Sequence, residues 1–138
     1  MNADNEHVVR EYFDRVWEQA DAAAVDELLA EDFVDHDAPP GFGGDRTSNR
    51  QLATFMLATM RDKHHRILTM LSDEDLVAVR HVTEWEQAGD FFGVPADGKR
   101  LSMKGLDIYR VREGRIAESW HCEDVAGVMR QAGAPPSS

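Results

Sequence analysis

Residues 101–124, LSMKGLDIYRVREGRIAESWHCED, read as two strands joined by a tight turn. Leu101 to Val111 is rich in apolar and aromatic residues. Ile116 to Cys122 is shorter and carries Trp120. Between them sits Arg112-Glu113-Gly114. A two-residue Glu-Gly turn pairs Arg112 with Arg115 and sends Asp107 and His121 to opposite faces. A three-residue loop with Gly114 in the left-handed position of a bulge shifts the register by one. Val111 then pairs with Arg115, and Asp107 with Ser119. Glu is poorly suited to the positive φ that a type I′ turn requires, whereas Gly114 suits the bulge, so the second register is the expectation. It puts Met103, Gly105, Asp107, Tyr109, Ala117, Ser119 and His121 on one face. Leu106, Ile108, Ile116 and Trp120 take the other. A one-residue slip exchanges the faces, so the turn determines whether the acid and the base can meet.

The chain before this hairpin is helical first. Asn5 to Gln19 carries Val9, Tyr12, Phe13 and Val16 at helical spacing. Ala22 to Ala30 is a second helix with Asp21 as its N-cap. Phe33 to His36 is a short extended piece, and Ala38 to Arg46 is loop by its Pro and Gly content. A third helix runs from Ser48 to Arg61, with Leu52, Phe55, Met56 and Met60 inward. After Lys63 the period changes. Arg66 to Leu71 and Leu76 to Gln87 are strands around a 72–75 turn, the second alternating His81, Thr83 and Trp85 on one face. Ala88 to Arg100 is a long connection whose Phe91-Phe92-Gly93-Val94-Pro95 reads as a rim or lid. Asp124 caps a last helix, Val125 to Gln131, and a Pro/Ser tail that frays begins at Gly133.

Helices followed by an antiparallel meander make an α+β class. The expected architecture is one domain over 1–138, with helices packed across a bent sheet and a pocket inside. The net charge of −11 disfavours nucleic acid and anionic membranes as partners. No apolar run has the length of a membrane span, and no secretory h-region follows Met1. The single cysteine, Cys122, excludes an internal disulfide and suits a reducing cytoplasm.

Several stretches carry a family resemblance: DFVDHDAP at 32–39, FFGVPADGKR at 91–100, GLDIYRVREGRIAESWHCED at 105–124 and MRQAG at 129–133. Together they resemble the SnoaL-like polyketide cyclase group of the NTF2-like superfamily, over nearly the whole chain. The resemblance implies an α+β cone and a homodimer formed through the outer sheet face. It implies a hydrophobic, carbonyl-bearing substrate of polyketide type, as in antibiotic biosynthesis. The implied reaction is an ester or aldol cyclisation by a lyase or isomerase without cofactor. Isomerases, epoxide hydrolases, hydroxylase-like proteins and non-catalytic binding or dimerisation modules share the fold, so these remain alternatives.

Residue by residue, Asp107 matches a strand position that holds an acid in ketosteroid isomerases and a histidine in aromatic polyketide cyclases. His121 matches the acid/base aspartate of those cyclases, so the two group types are exchanged between strands. Tyr12 matches the first-helix tyrosine of the isomerases, and His36 falls where they keep a catalytic carboxylate. Asp107, His121, His36 and Tyr12 are therefore the candidate catalytic residues.

Each candidate also has an ordinary structural reading. Asp107 in an apolar strand is a pocket acid or an outward-facing carboxylate, since a buried unpaired carboxylate costs several kcal/mol. His121 titrates near neutrality when unperturbed, or it anchors a loop. His36 is a base at the pocket mouth, or part of turn chemistry with Asp35 and Asp37. Tyr12 binds a substrate carbonyl or is core. Trp17, Phe33, Met56 and Trp85 are candidate lining residues, as are Phe92, Met103, Tyr109 and Ser119. Glu118 and Asp124 read as structural. Six histidines invite a metal reading, but His64 and His65 point to opposite sides of a strand and there is no HExxH or CxxC. His36, His81 and His121 are the histidines that can converge; no metal and no organic cofactor is expected.

Overall fold

The computed structural model describes residues 2–91 and 93–133. Its helices are α1 (Ala3–Tyr12), α2 (Ala22–Leu28), α3 (Arg46–Thr59) and α4 (Val125–Gln131). Its strands are β1 (Leu29–Asp35), β2 (Met60–Asp73), β3 (Leu76–Gln87), β4 (Arg100–Arg112) and β5 (Arg115–Glu123). They form one curved sheet in the order β1-β5-β4-β3-β2. All neighbours are antiparallel except β1 and β5. The expected α+β class is met. Phe92 and the tail beyond Gly133 lie outside the described residues.

Side-chain caps start the helices. Asn2, Asp21, Asp45 and Asp124 accept hydrogen bonds from the backbone N–H of Asn5, Ala23, Ser48 and Gly127. The expected helix Asn5–Gln19 is α-helical only to Tyr12; Phe13–Glu18 continues it as a π-helix. The wider turn lets the adjacent Tyr12 and Phe13 both bury their rings against the sheet.

Three boundaries differ from the sequence reading. α2 stops at Leu28, and β1 starts at once with Leu29, longer than the expected Phe33–His36. Glu31 and Asp32 on its exposed side hide the strand pattern. α3 ends at Thr59, two residues early, and β2 begins at Met60 rather than Arg66. Met60–His65 is polar because β2 is an edge strand with much of its surface in water.

The hairpin also differs. Arg112 pairs with Arg115, so the loop is the two-residue Glu113-Gly114, with φ of 52° and 76°. The expected three-residue loop does not form. Type I′ geometry matches the twist of the flanking strands, and that coupling outweighs the poor fit of Glu to positive φ. The extra residue sits further along. Val111 pairs with Ile116 but Arg110 pairs with Glu118, leaving Ala117 as a bulge. Ile116 and Ala117 are accordingly both buried. Ile116 belongs to the core, not to the outer face expected for it. Past the bulge Asp107 pairs with His121, so acid and base share a face after all.

The helices lie on the concave face of the sheet over two apolar clusters. One joins Val9, Tyr12, Phe13, Val16, Val25 and Leu28 to Val77, Val79, Tyr109, Val111 and Ile116. The other joins Met60, Trp85, Leu101 and Met103 to Phe91, Val94 and Val128. Buried Gln87 holds the second cluster's loop through Nε2, which donates to Gly89 O at 2.6 Å and Val94 O at 2.9 Å. Among the described residues no helix is long and apolar enough to cross a membrane.

Candidate active site

A cavity of about 530 Å³ opens between the clusters. Tyr12, Trp17, Leu52, Met56, Phe91 and Met103 supply much of its apolar wall. Asp35, Asn49, His65, His81, Asp107, Tyr109, Ser119, His121 and Glu123 line it too, giving an otherwise greasy chamber a polar floor. Both clusters leave it unfilled, which is the form of a small-molecule site.

His121 is clamped. Its Nε2 lies 2.9 Å from both oxygens of Asp35, and its Nδ1 lies 2.7 Å and 2.9 Å from those of Glu123. Its backbone N–H donates to Asp37 at 3.0 Å. Burial works to lower the imidazole pKa, but the hydrogen bonds and charges of Asp35 and Glu123 together outweigh it and raise the pKa to about 11. His121 is thus an imidazolium at neutral pH, with both N–H groups committed.

Asp107 is held differently. Tyr109 Oη donates to its Oδ2 at 2.6 Å. Its Oδ1 lies 3.1 Å from His81 Nε2, but the approach is poorly aligned and neither atom makes a hydrogen bond. His81 Nδ1 lies 3.0 Å from His65 Nε2, so one of these rings donates to the other. Burial, then the neighbouring His81 and Lys63, depress the His65 pKa to about 3, so that ring is neutral. The phenols stay protonated: burial pushes the pKa of Tyr12 and Tyr109 far up.

The partner expected for Asp107 was His121, and the hydrogen bonds go elsewhere. Asp107 and His121 share the floor, but His121 pairs with Asp35 and Glu123. Tyr12 reaches the cavity, its Oη 3.1 Å from Asn49 Oδ1 and 2.9 Å from Asn49 Nδ2. His36 does not line it. Its ring stacks on Trp120 with centroids 4.8 Å apart and bonds Glu118 at 3.2 Å, on the outer side. Alternation along β1 turns its neighbour Asp35 inward instead.

Among the lining candidates, Trp17, Met56, Met103, Tyr109 and Ser119 reach the cavity wall. Phe33 and Trp85 are core, with the Trp85 indole donating to Gln87 at 2.7 Å. Phe92 lies outside the described residues. Glu118 and Asp124 are structural as expected, bonding Arg110 and capping α4. His65, Asp35 and Glu123 are not among the expected site residues; of the three histidines expected to be able to converge, His81 and His121 line this floor and His36 does not. Inward alternation of Phe33-Val34-Asp35 and His81-Val82-Thr83 was the available signal.

The comparisons with known proteins bear on the family and the fold. The description "SnoaL-like polyketide cyclase" matches residues 7–132. The chain belongs to the SnoaL-like polyketide cyclase family. IdmH of Streptomyces antibioticus, a proposed polyketide cyclase, is 30% identical over 94% of this chain and 99% of its own, with a TM-score of 0.81. TsrD of Streptomyces laurentii shares the fold at a TM-score of 0.88 and 22% identity, over 98% of this chain and 99% of its own. AclR of Streptomyces galilaeus, a proposed hydroxylase, shares it at 0.82 and 20% identity, over 98% and 88%. The NTF2-like cone is common to them. No curated protein matches.

Proposed function

We propose that this family member is an acid/base enzyme that cyclises a hydrophobic, carbonyl-bearing molecule of polyketide type, using its side chains alone. Asp107 Oδ1 takes a proton from the carbon beside a carbonyl. The resulting enolate carbon attacks a second carbonyl of the same molecule, a C–C bond forms, and the new alkoxide takes up a proton. Reactant and product are isomers, so no co-reactant is needed. Tyr12 and Asn49 are the donors assigned to the enolate oxygen.

One observation carries the reading: the buried carboxylate of Asp107 lines the cavity, and one of its oxygens makes no hydrogen bond. The family supports the substrate class. The protein works in the reducing cytoplasm in this reading, as its lone exposed Cys122 suggests. Two copies pair through the outer sheet face.

The test is exchange of the acidic C–H of an aryl 1,3-dicarbonyl probe into heavy water, followed by NMR. Wild-type protein should accelerate it. Asp107→Asn should lose about 10²–10⁴-fold of the acceleration, the usual general-base contribution. Equal rates in both proteins would remove Asp107 from the chemistry.

A further inference from the structure

We infer that His81, Asp107 and Glu123 form a binding site for a divalent first-row transition-metal cation. Among the described residues these three are the one group of His, Cys, Asp or Glu side chains whose candidate ligand atoms converge, all within 4.8 Å of one another. The inference goes beyond the proposed reaction and needs only the placement of these side chains.

Two of the three ligand atoms are buried and lack a hydrogen bond: His81 Nε2 and Asp107 Oδ1. Their residues are 5% and 6% exposed, where a polar atom normally has a partner. A tautomer with the proton on His81 Nδ1 donates to His65 and leaves the Nε2 lone pair against a carboxylate. The other tautomer aims its N–H poorly. A cation satisfies both atoms at once. Their separation of 3.1 Å is the spacing that two ligands adopt at about 95° around a metal roughly 2.1 Å from each. Glu123 completes the set by a shift of its carboxylate from within 4.8 Å of the other two ligand atoms toward the roughly 3.4 Å spacing of a tetrahedral site.

Each ligand also has the outer partner that metal ligands require. His65 faces the second nitrogen of His81 at 3.0 Å. Tyr109 donates to the second oxygen of Asp107 at 2.6 Å. His121 holds Glu123 at 2.7 Å. The backbone leaves room for the set. Gly105 pairs with His81 on one side and Glu123 on the other. A Cβ on Gly105 would stand 2.5 Å from His81 Nε2, so only glycine permits this ring position. One imidazole and two carboxylates suit Zn²⁺, Co²⁺ or Mn²⁺, with Zn²⁺ tightest of the three. All three ligand residues line the cavity. A cation there occupies the oxygen assigned above as the base, so bound metal should inhibit rather than assist.

The experiment is calorimetric titration of chelator-treated protein with ZnCl₂ at pH 7, with Co²⁺ absorption as a second readout. One equivalent should bind at micromolar Kd or tighter, with a four- or five-coordinate Co²⁺ spectrum and a raised Tm. Glu123→Gln and His81→Gln should each weaken binding at least tenfold. His64→Ala, which removes an exposed imidazole lying beside Glu18 and Asp62, should leave it unchanged. Circular dichroism identifies any variant that fails to fold, and the second ligand variant then carries the test. No saturable binding below about 100 µM Zn²⁺, or binding unaffected by both ligand variants, would overturn the site. Either result would leave the carbon-acid exchange test of Asp107 standing.

Discussion

Asp35 and His121 stand 86 positions apart in sequence, yet His121 Nε2 is 2.9 Å from both carboxylate oxygens of Asp35. The parallel pairing of β1 with β5 brings them together, since Asp35 aligns with Ser119, two residues before His121. The clamp ties the rim loop after β1 to the hairpin and fixes a positive charge in the cavity floor.

The clamp has a pH signature. The folded pKa of His121 is raised to about 11, above the ordinary value of about 6.5. Its contribution to stability is therefore complete below about pH 6.5 and is lost as pH rises toward 11. Wild-type protein should lose more stability between pH 7 and 10 than His121→Gln does, measured by urea denaturation. At neutral pH His121→Gln should cost about 3 kcal/mol, because two carboxylates lose their shared cation. Parallel pH curves for the two proteins would mean that the imidazole is not held as a cation. The same clamp implies that His121 gives no kinetic limb near neutrality.

Gly105 and His81 should be coupled. In Gly105→Ala the new Cβ would lie 2.5 Å from His81 Nε2 and 2.6 Å from Cε1, in the middle of a sheet that cannot easily yield. The expected cost is about 1–3 kcal/mol of overpacking. His81→Ala removes the obstructing ring, so the second substitution should restore part of what the first loses. A double-mutant cycle by thermal denaturation should give a coupling of at least about 1 kcal/mol. Additive effects would show that the ring does not sit over this glycine.

The outer face of the sheet carries the dimer prediction. Leu71, Leu106 and Ile108 are 66%, 61% and 43% exposed, around half-buried Trp120. They line an open groove together with Ala78 and Cys122. Contiguous apolar surface of this kind marks an association site. Sedimentation should find a dimer at tens of micromolar, and Leu106→Glu should return it to monomer without loss of helical or sheet signal. A wild-type monomer at that concentration would leave this face needing a different cover.

What was legible in the sequence, and what was not, follows from where side chains meet water. Helix caps at Asp21 and Asp124 and the inward row of Val9, Tyr12 and Phe13 were readable because local chemistry sets them. The alternation of His81, Thr83 and Trp85 placed β3 correctly. Met60–His65 and Leu29–Asp32 were not readable as strands, because exposed edges carry charges that erase the period. Asp107 and His121 line one cavity as expected, but the groups they bond are not legible locally. His81, Asp35 and Glu123 reach them through strand pairing, which no local pattern encodes. The residue that sets the β4–β5 register is Ala117, and its bulge shows in the sequence only as two successive apolar residues, Ile116 and Ala117.

That register rests on an unfavourable turn residue, which gives a direct test. Glu113 at φ 52° and Gly114 at φ 76° form the two-residue loop, and only the second residue is suited to its conformation. An L side chain in the left-handed region costs about 1–2 kcal/mol, and Asn tolerates it far better than Glu. Glu113 is exposed, so its replacement removes no buried contact. Glu113→Asn should therefore stabilise the protein by about 0.5–1 kcal/mol, read as a higher urea midpoint with an unchanged m-value. Gly114→Ala should destabilise it by about 1 kcal/mol, because the Cβ is strained at that φ although nothing else lies within 4 Å of it. The two substitutions act in opposite directions on adjacent residues. A destabilising Glu113→Asn would point to the three-residue loop, in which position 113 has negative φ and Asn brings no advantage.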